Sequence, residues 1–142
     1  MNQQTYQQQI VIPFQDIDAA GIVFFAHLFR YAHETYEQFM SAHEHSLADI
    51  LKKGEYLLPL VHAEADYKQP LRHDETITIK LSVKKLGESS FTLQYYCLDS
   101  SGKVRAVIET VHVTLDAAQK KPMPIPDSLR VVLDSCRTAM PL

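Results

Sequence analysis

Between residues 56 and 115 the chain alternates apolar and polar side chains with a period of two, and this feature limits the fold most strongly. Successive side chains of a strand point to opposite faces, so each run predicts a strand with one buried face. Three runs carry their apolar side chains at odd positions: Val61, Ala63, Ala65 and Tyr67; Ile77, Ile79, Leu81 and Val83; Phe91, Leu93, Tyr95 and Cys97. Turn residues near Gly87 and at 99–102 predict hairpins, and therefore an antiparallel sheet.

The fourth run changes phase along its length. Its apolar side chains are Val104, Ala106 and Ile108 at even positions, then Val111, Val113 and Leu115 at odd positions. One extra residue near Glu109 or Thr110 would place both sets on the same face. We therefore predict a β-bulge at that point.

Residues 26–44 form the one long segment with helical spacing. Its apolar stripe comprises Leu28, Ala32, Thr35, Tyr36, Phe39 and His43, widened by Phe29 and Met40. A short strand at 10–12 precedes this helix, behind a Gln-rich lead-in that we expect to be frayed. Ser46 and Asp49 predict the cap of a second, short helix that ends at Gly54, and residues 129–136 predict a third. The order predicts an α+β fold in which a curved antiparallel sheet wraps the long helix.

The composition limits the class of protein. A chain of 142 residues with 46% apolar and 22% charged residues predicts a single domain spanning 1–142. A net charge of −3 argues against a nucleic-acid partner. We expect no membrane segment and no signal peptide, since no apolar run approaches the roughly 20 residues that span a bilayer. Cys97 and Cys136 have no motif around them, so we expect a reducing, cytoplasmic location.

Residues 16–27 carry the densest chemical signal. They hold two carboxylates, Asp16 and Asp18, then Gly21, and then the start of the long helix. The first amides of a helix lack internal partners and can stabilise an oxyanion, and an upstream Asp can act as nucleophile or general base. This combination suits acyl transfer or hydrolysis. The alternative is that both Asp residues only cap and shape the loop, a common role for Asp at helix starts.

The segment FQDIDAAGIVFFAHLFRYAHETYE resembles hotdog-fold acyl-CoA thioesterases of the 4-hydroxybenzoyl-CoA thioesterase family. The family pattern D-x-D-x-x-G-[IV]-V-[FYW] is matched by Asp16, Asp18, Gly21, Val23 and Phe24. The resemblance extends over nearly the whole chain. It implies a hotdog fold and the hydrolysis of an acyl-CoA thioester to a free acid and CoA.

The resemblance also implies roles for individual residues. The second Asp of the motif is the family's catalytic carboxylate, so Asp18 would attack the thioester carbonyl or activate a water. The backbone N–H of Phe25, expected on the first turn of the helix, would bind the oxyanion. Gly21 would let the thioester approach the backbone, and Asp16 would orient the loop.

The helix implies a class of acyl group. His33 takes the place of an acidic residue that meets the aryl hydroxyl in the 4-hydroxybenzoyl enzyme, and residues 33–37 resemble the branch that hydrolyses 1,4-dihydroxy-2-naphthoyl-CoA. We therefore expect His33, Phe24 and Phe29 to contact an aromatic acyl group, from either of these two substrates. The alternative for His33 is an ordinary half-buried boundary histidine.

The phosphates of CoA need cations, and the family's basic cluster near residues 86–89 is missing here. The candidates to replace it are Lys84, Lys85, Arg72 and Arg105, each of which could instead be an ordinary surface charge. We expect no cofactor and no metal, because the seven histidines show no zinc-ligand spacing. Neither a Gly-x-Ser-x-Gly elbow nor a glycine-rich phosphate loop is present.

The family resemblance implies a homodimer or a dimer of dimers, a homotetramer, with sites at the subunit interfaces. Exposed strand edges in a monomer favour the same expectation. Three alternatives remain for the function. The substrate could be a short or medium aliphatic acyl-CoA, or an acyl group on a carrier protein. The chain could also be a non-catalytic acyl-CoA binding module, or a hotdog dehydratase, although His27 and Asp18 do not follow the order of residues in those enzymes.

Overall fold

The computed structural model describes residues 5–137. Within that range the helices are α1 (His27–Ala42), α2 (Leu47–Lys53) and α3 (Asp127–Ser135), and a 3-10 turn spans Phe14–Asp16. The strands are β1 (Tyr6–Val11), β2 (Tyr56–Leu57), β3 (Leu60–Tyr67), β4 (Thr76–Leu86), β5 (Ser90–Leu98), β6 (Val104–Val113) and β7 (Leu115–Asp116). The predicted α+β class is confirmed. The predicted single domain of 1–142 extends beyond the described residues at both ends.

The main sheet has five antiparallel strands in the order β1-β4-β5-β6-β3, and β2 pairs with β7 in a small second sheet. The predicted hairpins β4–β5 and β5–β6 are confirmed. β3 and β4 follow one another in the chain but are not neighbours in the sheet. β3 pairs with β6 at one edge, whereas β4 pairs with β1, so the chain crosses the sheet between β3 and β4.

The core lies between α1 and the sheet. The apolar side chains predicted at odd positions of β4 and β5 are buried, and each of the eight is at most 1% exposed: Ile77, Ile79, Leu81, Val83, Phe91, Leu93, Tyr95 and Cys97. The buried face of α1 consists of Leu28, Tyr31, Ala32, Thr35, Tyr36, Phe39 and Met40. Removing this apolar surface from water holds α1 on the sheet. No helix in residues 5–137 has both the length and the apolar character needed to cross a membrane.

The β-bulge predicted near Glu109 or Thr110 is wrong. β6 pairs with β5 residue for residue from Ala106 to Val113, so its even positions stay buried to the end of the strand. The core face therefore receives Thr110 and His112 instead of Val111 and Val113. The core accepts Thr110 because its Oγ1 lies 3.2 Å from both the Tyr95 hydroxyl and His112 Nε2. The extra residue of β6 against β5 lies earlier in the strand, at Arg105 between Val104 and Ala106. In the β3–β6 pair the extra residue is Val61, between Leu60 and His62 of β3.

Two further strand predictions need correction. The apolar residues of β3 were expected to be buried, yet Val61 is 58% and Tyr67 47% exposed. The physical reason is that β3 is an edge strand, while α1 packs over β1, β4 and β6. The Gln-rich lead-in is also not frayed from residue 6 onward, since Gln7, Gln8 and Gln9 pair with β4.

The helix ends follow their predicted caps. The Asp49 N–H donates to Ser46 Oγ at 3.1 Å, and Gly54 ends α2 in the left-handed conformation with φ of 66°. α1 is slightly shorter than expected, because it begins at His27 and His43 caps its end. α3 buries Leu129 and Leu133, two of its predicted apolar residues.

Candidate active site

A tight loop connects β1 to α1 and carries the predicted catalytic residues. Its two sides run antiparallel: the Asp18 N–H donates to the Ile22 carbonyl at 2.9 Å, and the Phe24 N–H donates to the Asp16 carbonyl at 2.9 Å. An isolated bridge joins Ile17 to Val23 between these two bonds. Gly21 closes the turn with φ of +81°, a conformation that side chains other than glycine rarely adopt.

The Asp18 carboxylate is held at one oxygen. Oδ1 accepts a hydrogen bond from the Ala20 N–H at 2.8 Å and lies 3.5 Å from the Ile22 N–H. Oδ2 has no hydrogen-bond donor within residues 5–137. The carboxylate is therefore oriented by the backbone while one oxygen stays available for chemistry.

The Phe25 backbone N–H is open. α1 begins at His27, so Phe25 lies just before the helix and not on its first turn as expected. Ala26, at the N-cap position, has no side chain that could cap the helix. Among the residues that the structure describes, nothing accepts a hydrogen bond from the N–H of Phe25 or Ala26. Such open amides at a helix start suit a developing negative charge.

Asp18 and Phe25 line the same cleft, with a volume of about 370 Å³. Its lining consists of Asp18, Ile22, Val23, Phe24, Phe25, Leu28, Tyr67, Lys68, Gln69, Pro70 and Leu71. The cleft is largely apolar and combines one carboxylate with one ammonium group. It therefore brings together the two predicted catalytic groups and Phe24, which was predicted to contact the acyl group.

Sequence reasoning missed Tyr67 and Lys68, which come from the end of β3. The Tyr67 hydroxyl donates to the Phe25 carbonyl at 2.9 Å, so it holds the peptide next to the open amide. Burial raises the pKa of Tyr67, which keeps this hydroxyl protonated as a donor. The alternation of β3 placed Tyr67 on a buried face, and only the position of β3 at the sheet edge reveals its contact with the loop.

Asp16 lies beneath the loop and is only 3% exposed. Its Oδ2 accepts hydrogen bonds from the Arg30 guanidinium and the Tyr31 hydroxyl, both on α1. His27 Nε2 lies 3.8 Å from its Oδ1. Arg30 also pairs with Glu34, whose Oε1 lies 3.3 Å from the guanidinium. Asp16 does not line the cleft that holds Asp18.

His33 lies in a different cleft of the same chain, with a volume of about 200 Å³. The lining of this second cleft is His33, Tyr36, Leu47, Ile50, Leu51, Leu57, Leu58, Leu60 and His112. The His33 side chain is half exposed, and its Nδ1 lies 3.6 Å from Glu37 Oε1. Phe29 packs partly buried against the core and lines neither cleft. A single chain thus does not bring His33 and Phe29 to Asp18.

His112 is a third residue of the candidate clefts that the sequence reasoning missed. Its ring centre lies 4.6 Å from that of Tyr36 and 5.2 Å from that of Phe91. Burial lowers the pKa of His112 to about 4, so the imidazole is neutral near pH 7. The β-bulge wrongly predicted near Glu109 or Thr110 placed His112 on the solvent face of β6, whereas it lies on the core face.

The predicted CoA-binding cations have different environments. Lys84 Nζ lies 2.9 Å from Glu109 Oε1, and Arg105 is held by Glu75 and Asp99 with only 11% of its side chain exposed. Within the described residues, Lys85 and the guanidinium of Arg72 make no ion pair. Arg72 directly follows Leu71, a residue of the Asp18 cleft.

Residues 5–137 contain no group of three His, Cys, Asp or Glu side chains that could hold a metal ion.

Comparisons with known proteins identify the family and the fold of the chain. Residues 12–133 match the family described as the thioesterase-like superfamily. A 1,4-dihydroxy-2-naphthoyl-CoA hydrolase of Synechococcus elongatus is 36% identical over 126 residues, which cover 88% of this chain and 92% of that protein. A crystal structure of a 1,4-dihydroxy-2-naphthoyl-CoA thioesterase from Synechocystis has a TM-score of 0.87 at 26% identity, covering 92% of this chain and 96% of the other. A gentisyl-coenzyme A thioesterase has a TM-score of 0.79 at 27% identity, covering 90% and 98%.

The family match includes the loop with Asp18, the helix α1 and four strands of the main sheet, β3 to β6. The comparisons confirm the predicted hotdog fold and the predicted resemblance to acyl-CoA thioesterases, including the 1,4-dihydroxy-2-naphthoyl-CoA branch. The family match covers far more than half of the residues. The chain therefore belongs to the thioesterase-like superfamily.

Proposed function

We propose that this chain hydrolyses an aromatic acyl-CoA thioester to the free acid and CoA, with 1,4-dihydroxy-2-naphthoyl-CoA as the first candidate and 4-hydroxybenzoyl-CoA as the second. One observation carries the proposal: a backbone-held carboxylate, Asp18, and an open amide, Phe25, line one largely apolar cleft. The names of the relatives support the aromatic acyl group, since they describe 1,4-dihydroxy-2-naphthoyl and gentisyl thioesters.

Asp18 supplies the reactive oxygen or the base. In one route its free Oδ2 bonds to the acyl carbon, the carbon–sulfur bond breaks, CoA leaves as a thiolate, and water then hydrolyses the acyl-enzyme anhydride. In the other route Oδ2 takes a proton from a water that adds to the same carbon, the carbon–sulfur bond then breaks, and CoA leaves with the proton returned to its sulfur. In both routes the Phe25 N–H donates to the carbonyl oxygen as negative charge develops on it. We expect neither route to need a metal or another cofactor.

The remaining predicted residues serve binding in this proposal. Phe24 lines the Asp18 cleft and offers an aromatic surface to the acyl group. His33 and Phe29 would reach that group from a partner chain, because they do not line the Asp18 cleft of their own chain. For the CoA phosphates, Lys85, Arg72 and the cleft residue Lys68 are better candidates than Lys84, which is paired with Glu109.

We propose a homodimer, or a dimer of dimers, in which two chains complete each site. The support is the exposed β3 edge, where Leu60 is 46% and Val61 58% exposed. An exposed strand edge with apolar side chains is a surface on which another strand can pair. The location of His33 and Asp18 in separate clefts of one chain supports the same arrangement.

A cytoplasmic location belongs to the proposal as well. Its support is the state of the two cysteines, Cys97 and Cys136, which are buried and unpaired, as in proteins of reducing compartments. Delivery of the acyl group by a carrier protein instead of CoA is the alternative that the same site chemistry would serve.

The test is thiol release from a panel of thioesters by wild-type protein and Asp18→Asn. The panel contains 1,4-dihydroxy-2-naphthoyl-, 4-hydroxybenzoyl-, benzoyl-, acetyl- and decanoyl-CoA. We expect an aromatic thioester to be the best substrate and Asp18→Asn to lose more than about a hundredfold in kcat, since the amide cannot act as nucleophile or base.

Asp116→Asn is the matched control. The Asp116 carboxylate also accepts two turn amides, those of Ala118 at 2.9 Å and Gln119 at 2.8 Å, but it lies outside the cleft. Its substitution should leave kcat within about twofold. Preference for decanoyl-CoA would contradict the aromatic substrate, and equal losses in both variants would contradict the role of Asp18. Absence of thiol release from every thioester would favour a carrier-protein substrate or a binding module.

A further inference from the structure

The Asp16 carboxylate connects the loop to α1 through two side chains. It is 3% exposed, and its Oδ2 accepts hydrogen bonds from both Arg30 and Tyr31. A buried carboxylate is unfavourable unless it is paired and hydrogen-bonded, so these two donors are what allow Asp16 to stay inside the protein. The loop is thereby tied to the first half of α1.

Both donors are themselves held in place. Tyr31 is 1% exposed, and burial together with the Asp16 carboxylate raises the pKa of its phenol, which therefore remains a donor. The Arg30 guanidinium carbon lies 5.0 Å from the centre of the Tyr31 ring. The Nη1 atom of Arg30 lies 3.3 Å from Glu34 Oε1. Contacts on three sides thus limit the movement of the guanidinium.

The backbone of Asp16 links this network to the proposed reacting groups. Asp16 lies two residues before Asp18, and its carbonyl accepts the N–H of Phe24, the residue before Phe25. The two strands of the loop are joined between these points by the Ile17–Val23 bridge. Movement of Asp16 would consequently displace Asp18 and the Phe25 amide together. Arg30 and Tyr31 do not line the described cleft, so they would act without touching the substrate there.

We propose that Arg30 and Tyr31 are positioning residues for thioester hydrolysis, which hold Asp16 so that its backbone keeps the Asp18 carboxylate and the Phe25 N–H in register with each other. This inference rests on the function proposed above. If the network only stabilised the fold, removing one of its hydrogen bonds would lower the melting temperature without changing turnover. If the network positions the reacting groups, the same removal lowers kcat, because small misplacements of reacting groups slow chemistry strongly.

The test compares Tyr31→Phe with Tyr95→Phe. Each change removes one buried tyrosine hydroxyl with its hydrogen bond, but the Tyr95 hydroxyl contacts Thr110 Oγ1 at 3.2 Å and not the loop. Arg30→Lys is a second variant, which keeps the positive charge but loses the forked guanidinium; because Arg30 is partly exposed, this variant should fold. For each we would measure kcat and KM for the best thioester, the melting temperature, and hydrogen exchange of the amides at 16–25.

For Tyr31→Phe we expect kcat to fall about ten- to a hundredfold with KM nearly unchanged, and exchange at 16–25 to become faster. Arg30→Lys should show a smaller change in the same direction, and Tyr95→Phe should keep the kcat of the wild type. Retained kcat in Tyr31→Phe, or equal losses in the two tyrosine variants, would overturn the inference.

Failure of the proposed function is a separate result. If the wild type releases no thiol, hydrolysis is wrong, yet the exchange measurement still tests the positioning. Faster exchange at 16–25 in Tyr31→Phe alone supports it, and equal exchange in Tyr31→Phe and Tyr95→Phe overturns it.

Discussion

Two buried polar side chains, Asp16 and His112, show how the surroundings of a residue set its chemistry. Asp16 is buried as a carboxylate because Arg30 and Tyr31 donate to it. His112 is buried between two aromatic rings, and burial lowers its pKa to about 4. Hydrogen-bond donors from α1 satisfy the buried Asp16 side chain, whereas burial among aromatic rings keeps His112 uncharged near neutral pH.

The depressed pKa of His112 predicts a loss of stability in mild acid. In the unfolded chain a histidine binds a proton below about pH 6.5, whereas the folded protein resists protonation down to about pH 4. The unfolded state therefore binds more protons between these values, so the contribution of His112 is fully present above pH 6.5 and falls as the pH drops towards 4. Between pH 7.5 and 4.5 the expected loss is on the order of 2 kcal/mol.

His112→Phe should remove this part of the pH dependence, since a phenyl ring can occupy the space between Tyr36 and Phe91 without titrating. The measurement is the free energy of unfolding by denaturant at pH 7.5 and 4.5, at one protein concentration. His62→Gln is the control, because His62 is exposed and paired only with Glu64 at 2.9 Å. Identical losses in wild type and His112→Phe would show that His112 does not titrate on unfolding.

At the scale of elements, one turn and one strand edge decide where the site forms. The loop between β1 and α1 reverses at Gly21, and Tyr67 at the end of β3 holds the carbonyl of Phe25. The turn and the hydrogen bond both position the residues before α1, where the N–H groups of Phe25 and Ala26 have no acceptor among the described residues. The site is therefore a product of three elements that meet.

Gly21→Ala is expected to reduce both stability and turnover. A Cβ at this position would meet no atom within 4 Å, so the cost of about 1 kcal/mol comes from the positive φ alone. Gly102→Ala is a matched control, because the φ of Gly102 is +84° and an added Cβ there would also meet no atom within 4 Å. Both variants should lose similar stability by thermal denaturation, but only Gly21→Ala should lose kcat. Equal kcat in both would mean that the turn at Gly21 does not set the geometry of Asp18.

At the scale of the whole molecule, β1 and β3 are the two edge strands of the main sheet, and β3 has more of its side chains exposed. β3 has β6 on one side, and all of its side chains except Ala65 are exposed. The clefts that hold Asp18 and His33 are separate within one chain. Pairing of two β3 edges would cover the exposed apolar side chains and is the reason that we expect the assembled protein to be the active form.

Val61→Lys should weaken this assembly. A lysine on the edge introduces two like charges per pair of chains and is a common means by which natural proteins prevent edge pairing. Light scattering after gel filtration should show a smaller species, with thiol release reduced in parallel. Val131→Lys is the control, because Val131 is 70% exposed on α3, away from the edge. An unchanged mass for Val61→Lys would place the interface elsewhere.

The sequence alone determined the strands β4 and β5, the helix α1, the caps of α2 and the turn of the loop at Gly21. Each of these depends on a local pattern: a period of two, a period of 3.6, or a turn residue at a defined position. The tertiary structure decided which strands are neighbours, and therefore that Val61 and Tyr67 are exposed, that His112 is buried, and that Lys68 lines the cleft. Alternation shows that a strand has two faces, but what covers each face depends on residues distant in the chain. The burial of Asp16 in the loop likewise depends on its contacts with Arg30 and Tyr31 of α1.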